Sequence, residues 1–89
     1  MKNKIKKIHF IGIGGSGMSG IAEVMHNLGF NISGSDSASS KVTRELKQMG
    51  IKISSKHDAR NVNNVDVIVV SSAISKRNIE LKAGQKKNI

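Results

Sequence analysis

The sequence contains no cysteine, which excludes both a disulfide framework and a thiolate metal site. A chain with no thiols suits a reducing cytoplasm, and a cytoplasmic location is the expectation. Tryptophan and tyrosine are absent too, and the two phenylalanines, Phe10 and Phe30, both sit in apolar settings. Aromatic platforms for stacking bases are therefore missing. Acidic residues are scarce: six Asp and Glu stand against fifteen Lys and Arg, a formal net charge of +9. That excess raises a basic nucleic-acid-binding module as an alternative, but the cations collect at the two ends (Lys2, Lys4, Lys6, Lys7; Lys82, Lys86, Lys87) and stand singly between them. A solvated basic surface that helps draw in an anionic ligand fits better, and no nucleic-acid partner is expected. Long hydrophobic runs are also lacking. The apolar stretch after the N-terminal lysines dissolves into glycines, so neither an export signal nor a membrane span is read. His9, His26 and His57 are too scattered to suggest metal ligation, and 89 residues suffice for one small domain, 1–89, and leave little room for a second catalytic lobe.

What the chain does have is glycine, nine residues in all, concentrated after a short apolar run in Ile8-His9-Phe10-Ile11-Gly12-Ile13-Gly14-Gly15-Ser16-Gly17-Met18-Ser19-Gly20. Gly12, Gly14 and Gly17 fit G-x-G-x-x-G. In that pattern the first glycine permits a tight turn, the second lets backbone approach a pyrophosphate, and the third lets the following helix lie close to the strand. Backbone N–H groups from Gly14 through Gly15, Ser16 and Gly17 to Met18 are expected to face a diphosphate at a helix N-terminus, where unpaired donors and the macrodipole favour an anion. Such a loop binds and does not catalyse, so no catalytic residue is assigned.

The punctuation downstream alternates strand and helix. Lys7–Ile13 reads as a strand, Ser16–Leu28 as a helix stopped by Gly29, and Phe30–Ser33 as a second strand. Ser39 or Ser40 can cap a helix with Val42, Leu46 and Met49 on one face, ended by Gly50 and followed by a brief strand at Ile51–Ile53. Asp58 can cap a single helical turn. Val65–Val70, β-branched almost throughout, reads as a strand buried on both faces. A last helix is expected over Lys76–Lys87, after which the chain stops just as another strand would be due, so that its end looks cut. This alternation implies an α/β fold, a Rossmann-like three-layer arrangement with a parallel sheet and helices on both faces.

Ligands in such folds collect at the carboxyl ends of the strands. Gly12–Gly17, Gly34–Ser37, Ser54–His57 and Ser71-Ser72-Ala73 all fall there, and that convergence outweighs any single motif. Asp36 lies 24 residues after Gly12, where a dinucleotide fold places a carboxylate for ribose hydroxyls; a nucleotide sugar offers the same hydroxyls, and a turn-capping aspartate is the plainer alternative. Ser35 accompanies it. His57 can hydrogen-bond a base or phosphate, or cap a turn. Ser71 and Ser72 can donate to phosphate or sugar, or satisfy backbone where the strand ends. His9 reads as a packed strand residue. An NAD(P)-binding module of an oxidoreductase remains an alternative on these residues.

Three blocks, His9 to Ala22, Gly34-Ser35-Asp36 and Val69-Val70-Ser71-Ser72-Ala73-Ile74, resemble in order and spacing three signatures of the Mur ligase family of peptidoglycan synthesis. The resemblance covers the whole chain but only the N-terminal part of the family. It implies a domain that holds the UDP part of UDP-N-acetylmuramate, with the glycine loop on the diphosphate, Asp36 and its neighbours toward uridine, His57 near the nucleotide, and Ser71 to Ala73 toward diphosphate and sugar. Family enzymes of this branch use ATP and Mg²⁺ to activate a lactyl carboxylate as an acyl phosphate, which L-alanine then attacks. The Gly-x-x-Gly-Lys-Thr loop for ATP and the later ligase domains are not in this sequence, so the resemblance implies binding without ligation. Lys56 stands where a glycine is usual, and Arg77 and Ile79 stand where Asp and Pro are usual.

Overall fold

The strand β1 (Lys7–Ile11) sits inside a four-stranded, all-parallel sheet of order β3-β2-β1-β4, with β2 at Asn31–Ser35, β3 at Lys52–Ser54 and β4 at Val67–Val70. The computed structural model describes residues 5–89; Lys2 and Lys4 of the N-terminal basic cluster lie outside them. Alternation along β1 sends Ile8 and Phe10 to one face and Lys7, His9 and Ile11 to the other. On the first face Ile8, Phe10, Ile13 and Ile32 pack with Met18 and Ala22 of α1 (Met18–Asn27), with Leu46 of α2 (Lys41–Gln48), and with Ile51. Each such side chain, taken fully out of water, contributes roughly 1.5–3 kcal/mol. On the second face lie α3 (Ile79–Lys86) and a 3₁₀ turn at Ala59–Val62. The three-layer parallel architecture expected from the sequence is the one observed.

Local chemistry sets most boundaries. Gly29 follows α1, and Gly50 follows α2. Ser40 caps α2: its hydroxyl accepts from the Thr43 N–H at 3.2 Å while its own N–H donates to Thr43 Oγ1 at 2.9 Å, a reciprocal capping box. Asp58 caps the 3₁₀ turn through the Arg60 N–H. The last helix begins at Ile79, later than the expected Lys76, because Asn78 Oδ1 takes the Glu80 and Leu81 N–H groups and fixes the start there.

Two further expectations are corrected. The first strand ends at Ile11 and not Ile13, since Gly12 adopts φ +79° and turns the chain. β4 is not buried on both faces: within the described residues it pairs only with β1, Val67 to Val69 are half-buried and Val70 is exposed. Its apolar side beside α1 opens as a groove lined by Ile8, Phe10, Ile21, Met25, Leu28 and Val69, among others.

Gly34 marks the tightest approach between β2 and the loop after β1. A Cβ there would lie 2.8 Å from Ile13 Cβ, and Ile13 is fully buried. Gly34→Ala is therefore expected to destabilise the fold by about 1–3 kcal/mol through overpacking. Gly20, inside α1 with nothing within 4 Å of its Cβ position, should respond oppositely, gaining up to about 1 kcal/mol as alanine. Urea midpoints of the two variants check both signs.

Candidate functional site

The glycine loop hangs from β2. The Gly12 and Ile13 N–H groups both donate to the Ser35 carbonyl, at 2.8 and 3.1 Å, and the Gly15 N–H donates back to the Gly12 carbonyl at 2.9 Å. From there the Met18 N–H reaches the Gly15 carbonyl at 3.0 Å. Asp36 lies across the loop: its Oδ2 accepts from the Gly14 N–H and its Oδ1 from the Ala38 N–H, both at 2.9 Å. Three of the five N–H groups expected to face a ligand, those of Gly14, Gly15 and Met18, are thus occupied within the chain. Those of Ser16 and Gly17 have no partner among the described residues, and both residues are exposed.

Gly17 works differently from the sequence expectation. Nothing lies within 4 Å of its Cβ position, so it does not serve close packing of helix on strand. It is the N-cap of α1 at φ 81°, ψ −20°, a left-handed geometry that favours glycine, and it supplies no side-chain cap. The α2 helix, the 3₁₀ turn and α3 are each capped by a side chain, from Ser40, Asp58 and Asn78. Among the described helical segments α1 alone begins uncapped, and its first turn carries no acidic residue. That leaves the positive end of its dipole uncompensated at the rim.

Ser71 completes this side of the rim. Its N–H donates to the Ile11 carbonyl at 3.2 Å and its Oγ accepts from the Ala73 N–H, also at 3.2 Å, so the hydroxyl organises its own turn. A Cβ on Gly15 would lie 3.6 Å from Ser71 Oγ, which brings the loops after β1 and β4 together. Ser72 and Ala73 are exposed beyond it.

Ser35 and His57 belong to a buried network with a residue the sequence reading did not single out, Glu80, which is fully buried. Glu80 Oε1 accepts from His9 Nε2 and from Ser35 Oγ, each at 2.7 Å; Oε2 accepts from Asn61 Nδ2 at 2.8 Å and the Asp58 N–H at 3.0 Å. Ser35 Oγ also meets His57 Nδ1 at 2.9 Å. The serine is therefore inside the rim, beneath His57, and the histidine is half-buried with one edge held from below. His9 is packed as expected, with its second nitrogen on Ser33 Oγ at 2.8 Å. The available signal was a histidine in the middle of an apolar strand, which needs a buried partner; a lone acid just after the Asn78 cap was the candidate. Lys56, at the edge of this network, offers its carbonyl to Ser54 Oγ and Asn61 Nδ2 while its side chain is exposed.

Burial pushes the Glu80 carboxyl up, but hydrogen bonds from His9, Asn61, Ser35 and the Asp58 N–H outweigh it and hold it at about 2, against an ordinary 4.5. A depressed carboxyl contributes stability that is fully present above its unfolded value and is lost as pH falls through its folded one. The fold is accordingly expected to lose on the order of 3 kcal/mol between pH 4.5 and 2 through this group. Urea denaturation across that window checks it against Glu80→Gln, which should start less stable at neutral pH and change much less on acidification.

Comparison with known proteins bears on the whole chain. The family model described as "Mur ligase family, catalytic domain" matches residues 7–89. A UDP-N-acetylmuramate–L-alanine ligase of Neisseria gonorrhoeae is 52% identical over all 89 residues, and this chain spans 19% of that protein's length. The protein of the same name from Psychrobacter arcticus is 60% identical over 80 residues, 90% of this chain and 17% of that one. Among solved structures, a UDP-N-acetylmuramate–alanine ligase from Thermotoga maritima superposes with a TM-score of 0.89 at 32% identity, covering 93% of this chain and 19% of the other. With a fold, a glycine loop and an unbroken sequence match in agreement, the chain belongs to the Mur ligase family.

Proposed function

We propose that this chain is the nucleotide-binding N-terminal domain of an ATP-dependent ligase that adds L-alanine to UDP-N-acetylmuramate in peptidoglycan synthesis. Its own task is to hold the UDP part of that substrate in the cytoplasm. The observation that carries the reading is the uncapped start of α1, where the Ser16 N–H and that of the left-handed Gly17 have no partner among the described residues. The oxygens of a phosphate group suit two adjacent backbone donors at a helix N-terminus, and the G-x-G-x-x-G spacing of Gly12, Gly14 and Gly17 favours a diphosphate among such anions. The names of the relatives, both UDP-N-acetylmuramate–L-alanine ligases, support a UDP-sugar as that diphosphate.

On this reading Gly15, Ser16, Gly17 and Met18 shape the diphosphate cradle, while Gly14 acts through Asp36. A carboxylate has about four acceptor positions, and Asp36 uses two of them on the Gly14 and Ala38 N–H groups. The remaining two are available to ribose hydroxyls or the base. Ser71, Ser72 and Ala73 close the sugar side, and His57 approaches from the end of β3. ATP and Mg²⁺ would bind elsewhere in a longer protein, with its further domains: no lysine follows Gly17 as a P-loop for ATP requires. The oxidoreductase and nucleic-acid readings gain no support, since the relatives named above are ligases and Phe10 is fully buried, away from any base.

Titration with UDP-N-acetylmuramate, UDP and NADH side by side, at two salt concentrations, tests this. UDP compounds should saturate the chain and shift the amides of Ser16, Gly17 and Asp36. Gly14→Val, whose side chain would begin 2.9 Å from both Asp36 Oδ2 and Thr43 Cγ2, should lose tenfold or more in affinity, about 1.4 kcal/mol, while Asp36→Ala should weaken binding less. A folded Gly14→Val variant that binds normally, or a preference for NADH, would overturn the reading.

A further inference from the structure

The protons of the Glu80 network can be assigned one by one. Asn61 Nδ2 points at two oxygens, the Lys56 carbonyl at 3.0 Å and Glu80 Oε2 at 2.8 Å, so its amide orientation is fixed as the donor. The Asp58 backbone N–H is a donor by nature, at 3.0 Å from the same Oε2. With Oε2 so held and His9 Nε2 on Oε1, Glu80 is an ionised acceptor with no proton to give. The single hydroxyl proton of Ser35 must then go to Oε1, at 2.7 Å. What remains for Ser35 Oγ is to accept, and the group beside it is His57 Nδ1 at 2.9 Å. That nitrogen also lies 3.4 Å from Oε2, a second oxygen that favours a proton there.

A neutral imidazole with its proton on Nδ1 has a lone pair on Nε2. His57 Nε2 has no partner among the described residues, and the ring is about one-fifth exposed at the carboxyl end of β3. We infer that Glu80, through Ser35, sets the tautomer of His57 and makes its Nε2 a hydrogen-bond acceptor on the ligand rim, selecting a donor of the nucleoside and not the diphosphate. Two groups on a uridine carry that chemistry, the imide N–H of the base and the ribose hydroxyls. Glu80 touches no ligand and is a positioning residue; His57 is the specificity-determining contact. The ligand half of this inference rests on the UDP-binding reading, whereas the tautomer does not.

The tautomer is tested on the protein as it stands, by long-range ¹H–¹⁵N correlation of the imidazoles at pH about 8.5, about two units above the ordinary histidine value. Free histidine in water favours the proton on Nε2, so Nδ1–H at His57 is the expected departure; Nε2–H would overturn the inference without reference to any ligand. In Glu80→Gln the amide oxygen should stay with the two fixed donors, Asn61 and Asp58, and its NH₂ should turn to His9 and Ser35. Ser35 would then donate to His57, and the ring should switch to Nε2–H. A folded Glu80→Gln that keeps Nδ1–H overturns the assignment of Glu80. The wild-type tautomer remains decisive if that variant does not fold.

The ligand arm uses UDP, its N3-methyl analogue and inorganic pyrophosphate. His57→Ala should weaken UDP about tenfold and leave pyrophosphate unchanged. A mutational effect that disappears with the N3-methyl analogue assigns the donor to the base, and one that persists assigns it to ribose. Equal loss for pyrophosphate would overturn the selection of a nucleoside donor. Failure of UDP to bind at all would count against the function proposed above and leave the tautomer result standing.

Discussion

The buried carboxylate of Glu80, carried on α3, receives hydrogen bonds from three places that the chain reaches separately: His9 in β1, Ser35 in β2, and the turn that holds Asp58 and Asn61. An ion in the interior is tolerable only if every lone pair is answered. Here the answering groups come from the two central strands and from the 3₁₀ turn, so α3 is tied to the middle of the sheet. If β2 shifted by one residue, Ser35 would face α2 and the carboxylate would lose a donor, so the network penalises misregister beyond what the apolar face does by itself. His9, opposite Ser33 in the ladder, ties the same register from the neighbouring strand.

From Ser35 the constraint passes to the loop that matters for binding. Its hydroxyl belongs to Glu80 and His57, while its carbonyl takes both the Gly12 and Ile13 N–H groups. The next residue, Asp36, takes Gly14. The glycine loop is thereby held by the chain itself, and the Ser16 and Gly17 N–H groups, without a partner among the described residues, sit on exposed residues at a helix start that no side chain caps. Preorganised donors lose little freedom on binding, which is where a small site gains affinity.

The parts of this arrangement that are local in sequence were legible in it. Gly29 and Gly50 as stops, Ser40 and Asp58 as caps, and the apolar faces of α1 and α2 depend on neighbours within a turn or two. The parallel sheet and the rim followed from the strand and helix alternation. What was not legible is tertiary. Gly17 is needed for its backbone conformation and not for packing, a distinction that no spacing carries. Ser35 looks like its exposed neighbours Ser37 and Ser39, and it is inside because β2 runs on through it and ends there, two residues past the expected Ser33. Glu80 pairs with a histidine 71 positions earlier. The β-branched run of β4 describes the side chains a sheet accepts, not how many neighbours the strand has.

The net charge of +9 and the site are separable in physical terms. The rim segments Gly12–Gly17, Ser35–Ser39 and Ser71–Ser75 contain neither lysine nor arginine; the cations at the edge come from outside them, Lys56 beside His57 and Lys47 beside Asp36. On the function proposed above, recognition of a diphosphate there would fall to neutral backbone donors and the α1 dipole, which act within about one helical turn. The lysines act at longer range, up to the Debye length of about 8–10 Å in physiological salt. They raise the local concentration of any anion and the rate at which it arrives. Salt should then slow capture more than it loosens the bound state, whereas a nucleic-acid binder that neutralises many phosphates directly would lose affinity steeply with salt. On the proposed reading the basic surface would serve as an approach field, with selection among anions left to a small set of backbone N–H groups, Asp36 and one oriented histidine.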